Sequence, residues 1–222
     1  MDVPDADRKT LEDDLKNLRT INRYFGGISA LQNAVLPMVM KRVNGDVTTI
    51  LDLATGSGDH PAALARIFRR LGKPVRITAV DRNDVMLSVA RRQASGAGEI
   101  VFERGDILNL KYEAGSFDIV TCSLAIHHFS RDNAIHILRE MNRISRLGFV
   151  VNDLSRSYAG ALTAWLYTRL TTRNPMTRYD SVASVLRAFT KEELSAMAVE
   201  AGVDPIRIYT APLFRLVAVK VK

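Results

Sequence analysis

Ile50-Leu51-Asp52-Leu53-Ala54-Thr55-Gly56-Ser57-Gly58-Asp59-His60-Pro61 decides the fold of this chain. Ile50 to Leu53 is a short apolar run that reads as a buried strand, and the glycines after it read as a tight turn. Pro61 suits the first turn of a helix, where its missing N–H costs nothing. Strand, Gly-rich turn and helix N-terminus together form the place where an open α/β sheet binds a nucleotide-like ligand. Small residues at 54, 56 and 58 let the backbone come close to that ligand. A dinucleotide fingerprint requires G-x-G-x-x-G, and its sixth position is here Pro61, which argues against a bound pyrophosphate.

Three further strand ends follow in order. Val75 to Val80 is β-branched and ends in Asp81; an acid at the tip of the second strand can accept hydrogen bonds from both ribose hydroxyls. The competing reading of Asp81 is a helix N-cap or turn residue before Asp84-Val85-Met86-Leu87. Ile100 to Arg104 gives a third strand, followed by Gly105-Asp106-Ile107. Ser116 to Leu124 reads as the fourth, leading into Ala125-Ile126-His127-His128-Phe129. A fifth strand is expected over 149–154.

Acid-x-Ala-x-Gly-x-Gly at residues 52–58, with these strand ends, resembles the class I S-adenosylmethionine-dependent methyltransferases. Leu51-Asp52-Leu53-Ala54-x-Gly56-x-Gly58-Asp59 and the helix end Arg139-Glu140-Met141-x-Arg143-Ile144 are similar to the ubiquinone/menaquinone C-methyltransferases. That group shows Arg-Asn after the fourth strand and Pro-Gly-Gly before the fifth. This chain has His127-His128 and Arg146-Leu147-Gly148-Phe149, so quinone C-methylation itself stays open. The resemblance covers residues 48–154. It implies a three-layer Rossmann-like α/β fold with a mostly parallel seven-stranded sheet, N-terminal helices and a helical insertion after the fifth strand. It also implies S-adenosylmethionine as cofactor. The expected cofactor-binding residues are Asp52, Ala54, Gly56, Gly58, Asp81, Arg82, Asp106, Ile107, Ser123 and Leu124. Asp106 would bind the adenine amino group and Ile107 would pack on the ring.

A sulfonium-borne methyl group is already activated, so the protein mainly aligns donor and acceptor and excludes water. A general base is needed only where the acceptor must lose a proton. His127 and His128 follow the fourth strand and are the candidate catalytic residues, because histidine titrates near neutral pH. The alternative is that one caps the loop and the other shapes the pocket. Asp153 is a second polar candidate at the same sheet edge, and strand alternation turns Asn152 to the opposite face.

The 222 residues, 47% of them hydrophobic, suffice for one α/β domain with additions. Four parts are expected: an N-terminal helical cover (1–45), the cofactor-binding core (48–154), a substrate-cover insertion (155–185), and a C-terminal helix and strands (186–222). In the first part, Leu11, Leu15, Leu18 and Ile21 give residues 10–24 one apolar helix face. A second helix runs over 29–43, interrupted near Pro37. In the resembled group such helices pack over the cofactor, and Asn22, Arg23 and Tyr24 could touch its methionine part. The insertion reads as a helix over 158–170 followed by a polar loop containing Pro175. Its aromatics would suit a planar or apolar substrate or pack the helix onto the domain. Thr190-x-x-Glu193 is a capping box opening the last helix, and strands follow over 206–209 and 214–221.

The net charge of +7 raises the question of nucleic acid. The basic residues come as isolated pairs, Arg69-Arg70 and Arg91-Arg92, at helix ends where they complement the dipole. A nucleic-acid footprint would be clustered. The charge therefore reads first as a solvated basic surface, with an anionic substrate, a membrane surface carrying a lipophilic substrate, and nucleic acid as the alternatives. No apolar stretch reaches membrane-spanning length, the acidic first residues lack signal-peptide order, and Cys122 is a lone buried thiol. A cytoplasmic location is therefore expected, and no metal site. The expected activity is methyl transfer to oxygen or carbon of a small aromatic or lipophilic molecule. RNA- or protein-directed methylation, and a catalytically silent cofactor-binding protein, are the alternatives. The sequence is silent on oligomeric state.

Overall fold

The computed structural model of the chain describes residues 26–40 and 46–222. The helix expected over 10–24, with Asn22, Arg23 and Tyr24, lies outside the described residues. The elements are α1 (Gly27–Val39), β1 (Thr48–Leu53), α2 (Asp59–Arg70), β2 (Val75–Asp81), α3 (Asp84–Gln93), β3 (Ile100–Arg104) and β4 (Phe117–Ser123). A 3₁₀ turn at Ile126–His128 leads to α4 (Arg131–Ile144), β5 (Ser145–Leu154), α5 (Tyr158–Thr171), α6 (Pro175–Arg187), α7 (Lys191–Glu200), β6 (Arg207–Ala211) and β7 (Arg215–Val221). Seven strands form one sheet in the order β3-β2-β1-β4-β5-β7-β6. The first five are parallel, and β7 runs antiparallel between β5 and β6. This is the Rossmann-like α/β fold expected from the sequence.

Strand alternation sorts the core into two layers. Leu51, Leu53, Val120, Cys122, Phe149 and Val151 face α4 and α7 in one cluster. Ile50, Ile77, Ile119 and Val150 face α1 and α2 in the other. Parallel strands covered on both faces carry continuous apolar runs, which is why the strands were legible as such.

α1 differs from expectation. It runs unbroken through Pro37, which lies in its last turn. It packs against the sheet, not over the ligand site: Leu31, Val35 and Val39 are buried beside Val150 and Val217. Their spacing of four places them on one helix face, and that face finds β5 and β7. Asn152, on the same face of β5, donates from Nδ2 to the Gly27 carbonyl at 2.9 Å.

The polar loop expected around Pro175 is instead the start of α6. Asn174 is its N-cap, accepting from the N–H groups of Met176 and Thr177, and Pro175 occupies the first helical position. There the proline opens a helix.

β5 carries an irregularity in its pairing with β4, where Phe117 faces Ser145 but Ile119 faces Gly148. The extra residue lets Arg146 reach the fully buried Asp118 (Nε to Oδ1, 3.0 Å), which also accepts from the N–H and hydroxyl of Thr49 in β1. Gly148 then holds φ +146°, and a Cβ there would sit 1.9 Å from the Lys220 carbonyl oxygen of β7. Gly148→Ala should lower the unfolding free energy by about 2 kcal/mol or more through backbone strain and overpacking. A urea denaturation curve measures this; an unchanged midpoint would show that β7 yields without cost.

Candidate active site

The chain runs outward from β1 to β3 and then returns to β4, so the strand order reverses between β1 and β4. Loops leaving adjacent strands in opposite directions open a crevice at their carboxyl ends. A cavity of about 550 Å³ lies there, lined by the ends of β1, β2 and β4, the loop after β3, the start of β7, and α5 and α6. Its size falls in the roughly 300–1,000 Å³ range of small-molecule sites. Ala54 (φ 51°) and Leu124 (φ 54°) end β1 and β4 in the left-handed region, and both line the cavity. Non-glycine residues hold that conformation only where the surroundings fix it.

The two glycines of the first turn have different tasks. Gly56 (φ +56°) lines the cavity, and a Cβ on it would meet nothing within 4 Å. Gly58 (φ +79°) does not line it; a Cβ there would meet Ala90 at 3.1 Å and the Phe102 ring at 3.2 Å. Gly58 thus serves the packing of the turn against α3 and β3. Asp52 likewise stands off the cavity. It shares the Ile50 face of β1, is buried, and accepts from the Thr121 hydroxyl at 2.6 Å. Burial raises its pKa to about 6, against the hydrogen bonds of Thr121 and Thr55 and with a smaller push from Asp81.

Asp81 lines the cavity at the end of β2 and accepts from the N–H of Gly56 at 2.8 Å and of Asn83 at 2.9 Å. Its carboxylate therefore clamps the glycine turn to the second strand. The N-cap of α3 is Asn83, which accepts from Val85 at 2.9 Å. Asp106 is exposed and accepts from the Leu108 N–H; Ile107 beside it is buried. Both line the cavity, as do the exposed Arg82, the buried Ser123 and the half-buried Leu124. The Ser123 hydroxyl has no hydrogen-bond partner among the described residues.

His127 and His128 also line the cavity, on the 3₁₀ turn after β4. They are not equivalent. His128 is exposed, with its ring 4.1 Å from that of His127. His127 is buried, and its Nδ1 lies 2.6 Å from Asp153 Oδ1. Asp153 Oδ2 accepts from the His127 N–H at 3.1 Å, and Oδ1 accepts from the Leu154 N–H at 2.7 Å. Burial pushes the Asp153 carboxyl up, but the His127 charge and hydrogen bond, with these two N–H groups, outweigh it and hold the pKa below its ordinary value. An ionised Asp153 can only accept, so His127 Nδ1 carries a proton, and in the neutral imidazole Nε2 is then the acceptor. Nε2 is buried with no partner among the described residues. This is the geometry of an oriented base.

Sequence reasoning missed two buried ionisable residues of the cavity, His60 and Arg215. His60 begins α2 next to the glycine turn. Arg215 opens β7 and pairs in register with Leu154, one residue beyond Asp153. No local pattern announces that pairing, because it depends on an antiparallel register set 60 residues away. Burial, with repulsion from Arg215, lowers the His60 pKa to about 4. Burial lowers that of Arg215 to about 10, against the pull of Asp153. A folded-state pKa below the usual 6.5 means the folded protein binds this proton less readily than the unfolded chain. Stability linked to His60 is then complete above pH 6.5 and lost as pH falls toward 4. Between pH 7 and pH 4 the stability of the wild type relative to His60→Gln should fall by about 3 kcal/mol. Chemical denaturation at both pH values tests this, and parallel curves would show that His60 is free to charge in the folded protein.

Residues 50–148 match the family model described as Methyltransferase domain. The chain is 27% identical over 174 residues to a 2-phytyl-1,4-naphtoquinone methyltransferase of Synechococcus elongatus, covering 72% of each chain. It is 26% identical over 160 residues to a demethylmenaquinone methyltransferase of Staphylococcus aureus, covering 66% of this chain and 64% of that one. The crystal structure of a SAM-dependent methyltransferase from Aquifex aeolicus superposes with a TM-score of 0.65 at 15% identity, covering 94% of this chain and 96% of the other. At that identity the likeness concerns the fold.

Proposed function

The chain is a class I S-adenosylmethionine-dependent methyltransferase, and we propose that it methylates oxygen or an acidic carbon of a small lipophilic, aromatic acceptor, with His127 as the base that Asp153 positions. The observation that carries this reading is the His127–Asp153 pair in the cavity, with Nε2 left as a buried acceptor.

The residues present fit the cofactor. Gly56 leaves open space where a side chain would otherwise stand, so a ligand can lie against the turn. Asp59, Asp81 and Asp106 line the half of the cavity built from the β1, β2 and β3 ends. These are acceptors and negative charges, suited to the ribose hydroxyls, the adenine amino group and the cationic character of S-adenosylmethionine, and unsuited to a pyrophosphate. Asp81 would hold the ribose with its remaining lone pairs, Asp106 the amino group, and Ile107 would pack on the ring. When bound, the cofactor supplies a methyl group already activated on a sulfonium. His127 Nε2 takes the proton that the acceptor gives up, and Asp153 stabilises the imidazolium through Nδ1–H. Ser123 offers a hydroxyl to the acceptor or the cofactor.

A lipophilic acceptor is favoured by the apolar lining from Phe129, Ala164, Val185, Leu213 and Phe214 and by what the two quinone-directed relatives are named for. The positive charge offers little for RNA. Arg69 on α2, Arg131 and Arg143 on α4, Arg146 on β5 and Arg156 before α5 sit in ion pairs, which is a solvated surface and not a basic groove.

Labelled S-adenosylmethionine incubated with phenolic and quinol acceptors, total RNA and unfolded protein tests the reading. Label in the lipophilic fraction is expected; label confined to RNA or protein would overturn it. Asp81→Ala should weaken cofactor binding by roughly 1.5–3 kcal/mol in a protein that still folds, measured by calorimetry. Unchanged affinity would remove Asp81 from the ribose site. His127→Ala should lower kcat by about 10²–10⁴, and Asp153→Asn should lower kcat with little change in acceptor KM. Near-normal turnover in both would leave catalysis to alignment alone.

A further inference from the structure

α5 is apolar on nearly all sides, although among the described residues only one side of it faces protein. Gly160, Ala164, Tyr167 and Thr168 line the cavity. On the opposite side Tyr158 (89%), Leu162 (65%), Trp165 (46%), Leu166 (51%) and Leu170 (78%) are exposed. The spacing of three and four makes them one continuous stripe, and Tyr179 of α6, 67% exposed, extends the apolar surface onto the next helix. Folded proteins rarely leave such a stripe uncovered unless something binds it.

The charges around the stripe identify its occupant. Residues 155–179 contain no acidic residue and four arginines, at 156, 169, 173 and 178. Arg156 is paired with Glu193. Arg169 lies over the Trp165 ring at 5.5 Å, and Arg178 donates to the carbonyls of Thr172 and Arg169 and stands in no ion pair among the described residues. Aromatic and leucine side chains flanked by arginines are the pattern of a helix lying in a lipid headgroup region. A second copy is disfavoured, because a two-fold contact would bring the arginines of both copies together. No helix among the described residues is long and apolar enough to cross a membrane, so the contact is with its surface.

We propose that the exposed face of α5, continued by Tyr179, docks on an anionic lipid bilayer. The same helix then separates lipid from cavity, and a lipophilic acceptor passes from one to the other around it. This extends the acceptor class proposed above, but docking needs no acceptor and stands or falls separately.

Trp165 is the single tryptophan of the chain, so intrinsic fluorescence reports on this face alone. Vesicles of phosphatidylglycerol and phosphatidylcholine in equal parts should shift its emission to the blue and sediment the protein. Phosphatidylcholine alone should do neither, and raised salt should weaken the effect. Arg169→Glu with Arg173→Glu should cut partitioning by about tenfold or more. Leu162→Glu with Leu166→Glu should abolish it while S-adenosylmethionine affinity is kept, because neither leucine lines the cavity. An emission spectrum that anionic vesicles leave unchanged in the folded protein would overturn the proposal. So would equal binding to phosphatidylcholine alone, or emission already blue without lipid, which would place another part of the chain or a second copy on the stripe.

Discussion

The structure depends on the pairing of β1 with β4, because there a sheet covered on both faces reverses its strand order. Both strands are buried, so a polar group within them must be paired, as Asp52 is with Thr121, and open polar groups gather where the strands end. Ala54 and Leu124 mark those ends with left-handed backbone, and the loops depart from them in opposite directions. Asp118 secures the other end of the same strands through Thr49 of β1 and Arg146 of β5. The crevice is thus the one edge of the central sheet where side-chain chemistry is free to vary.

The strand order also divides that chemistry. Asp59, Asp81 and Asp106 follow β1, β2 and β3, on one side of the reversal. His127, Asp153 and Arg215 belong to the ends of β4, β5 and β7, on the other. One half is rich in acceptors and negative charge, and the other holds a buried imidazole near a buried cation. A donor that is cationic and hydrogen-bond-donating suits the first half. An acceptor that surrenders a proton suits the second, where Asp153 would stabilise the imidazolium through Nδ1–H and a developing negative charge would find Arg215 along the same wall. Asp153, one register position away, offsets part of the cost of burying Arg215.

Much of this was legible in the sequence where the signal was local. The apolar runs of β1, β2 and β4, the glycine turn and the capping box of α7 each read from a few adjacent residues, and Thr190 and Glu193 are bonded as their spacing predicts. What was not legible depended on distant partners. Gly56 and Gly58 look alike in sequence, yet only the approach of Ala90 and Phe102 makes the second a packing glycine. Asp52 reads as a ligand residue, but β-strand parity turns it toward Thr121 and away from the cavity. Arg215 was invisible because its place is fixed by antiparallel register with β5. Pro175 was read as a loop because proline ends helices as well as opening them, and only Asn174 bonded to Met176 and Thr177 decides between the two.

α5 joins these levels. Its sequence lacks the alternation of polar and apolar faces expected of a surface helix, and on local grounds it reads as buried. Among the described residues the fold nevertheless gives it one protein neighbour layer, α6 and the cavity wall, and leaves Tyr158, Leu162 and Leu170 exposed. A helix with two apolar faces and one protein partner requires a second apolar environment. Arginines at 169, 173 and 178 accompany that outer face in sequence, and residues 155–179 hold no carboxylate. The insertion after β5 therefore carries two surfaces on one helix, one shaping the cavity over the His127–Asp153 pair and one suited to the medium in which a lipophilic acceptor dissolves.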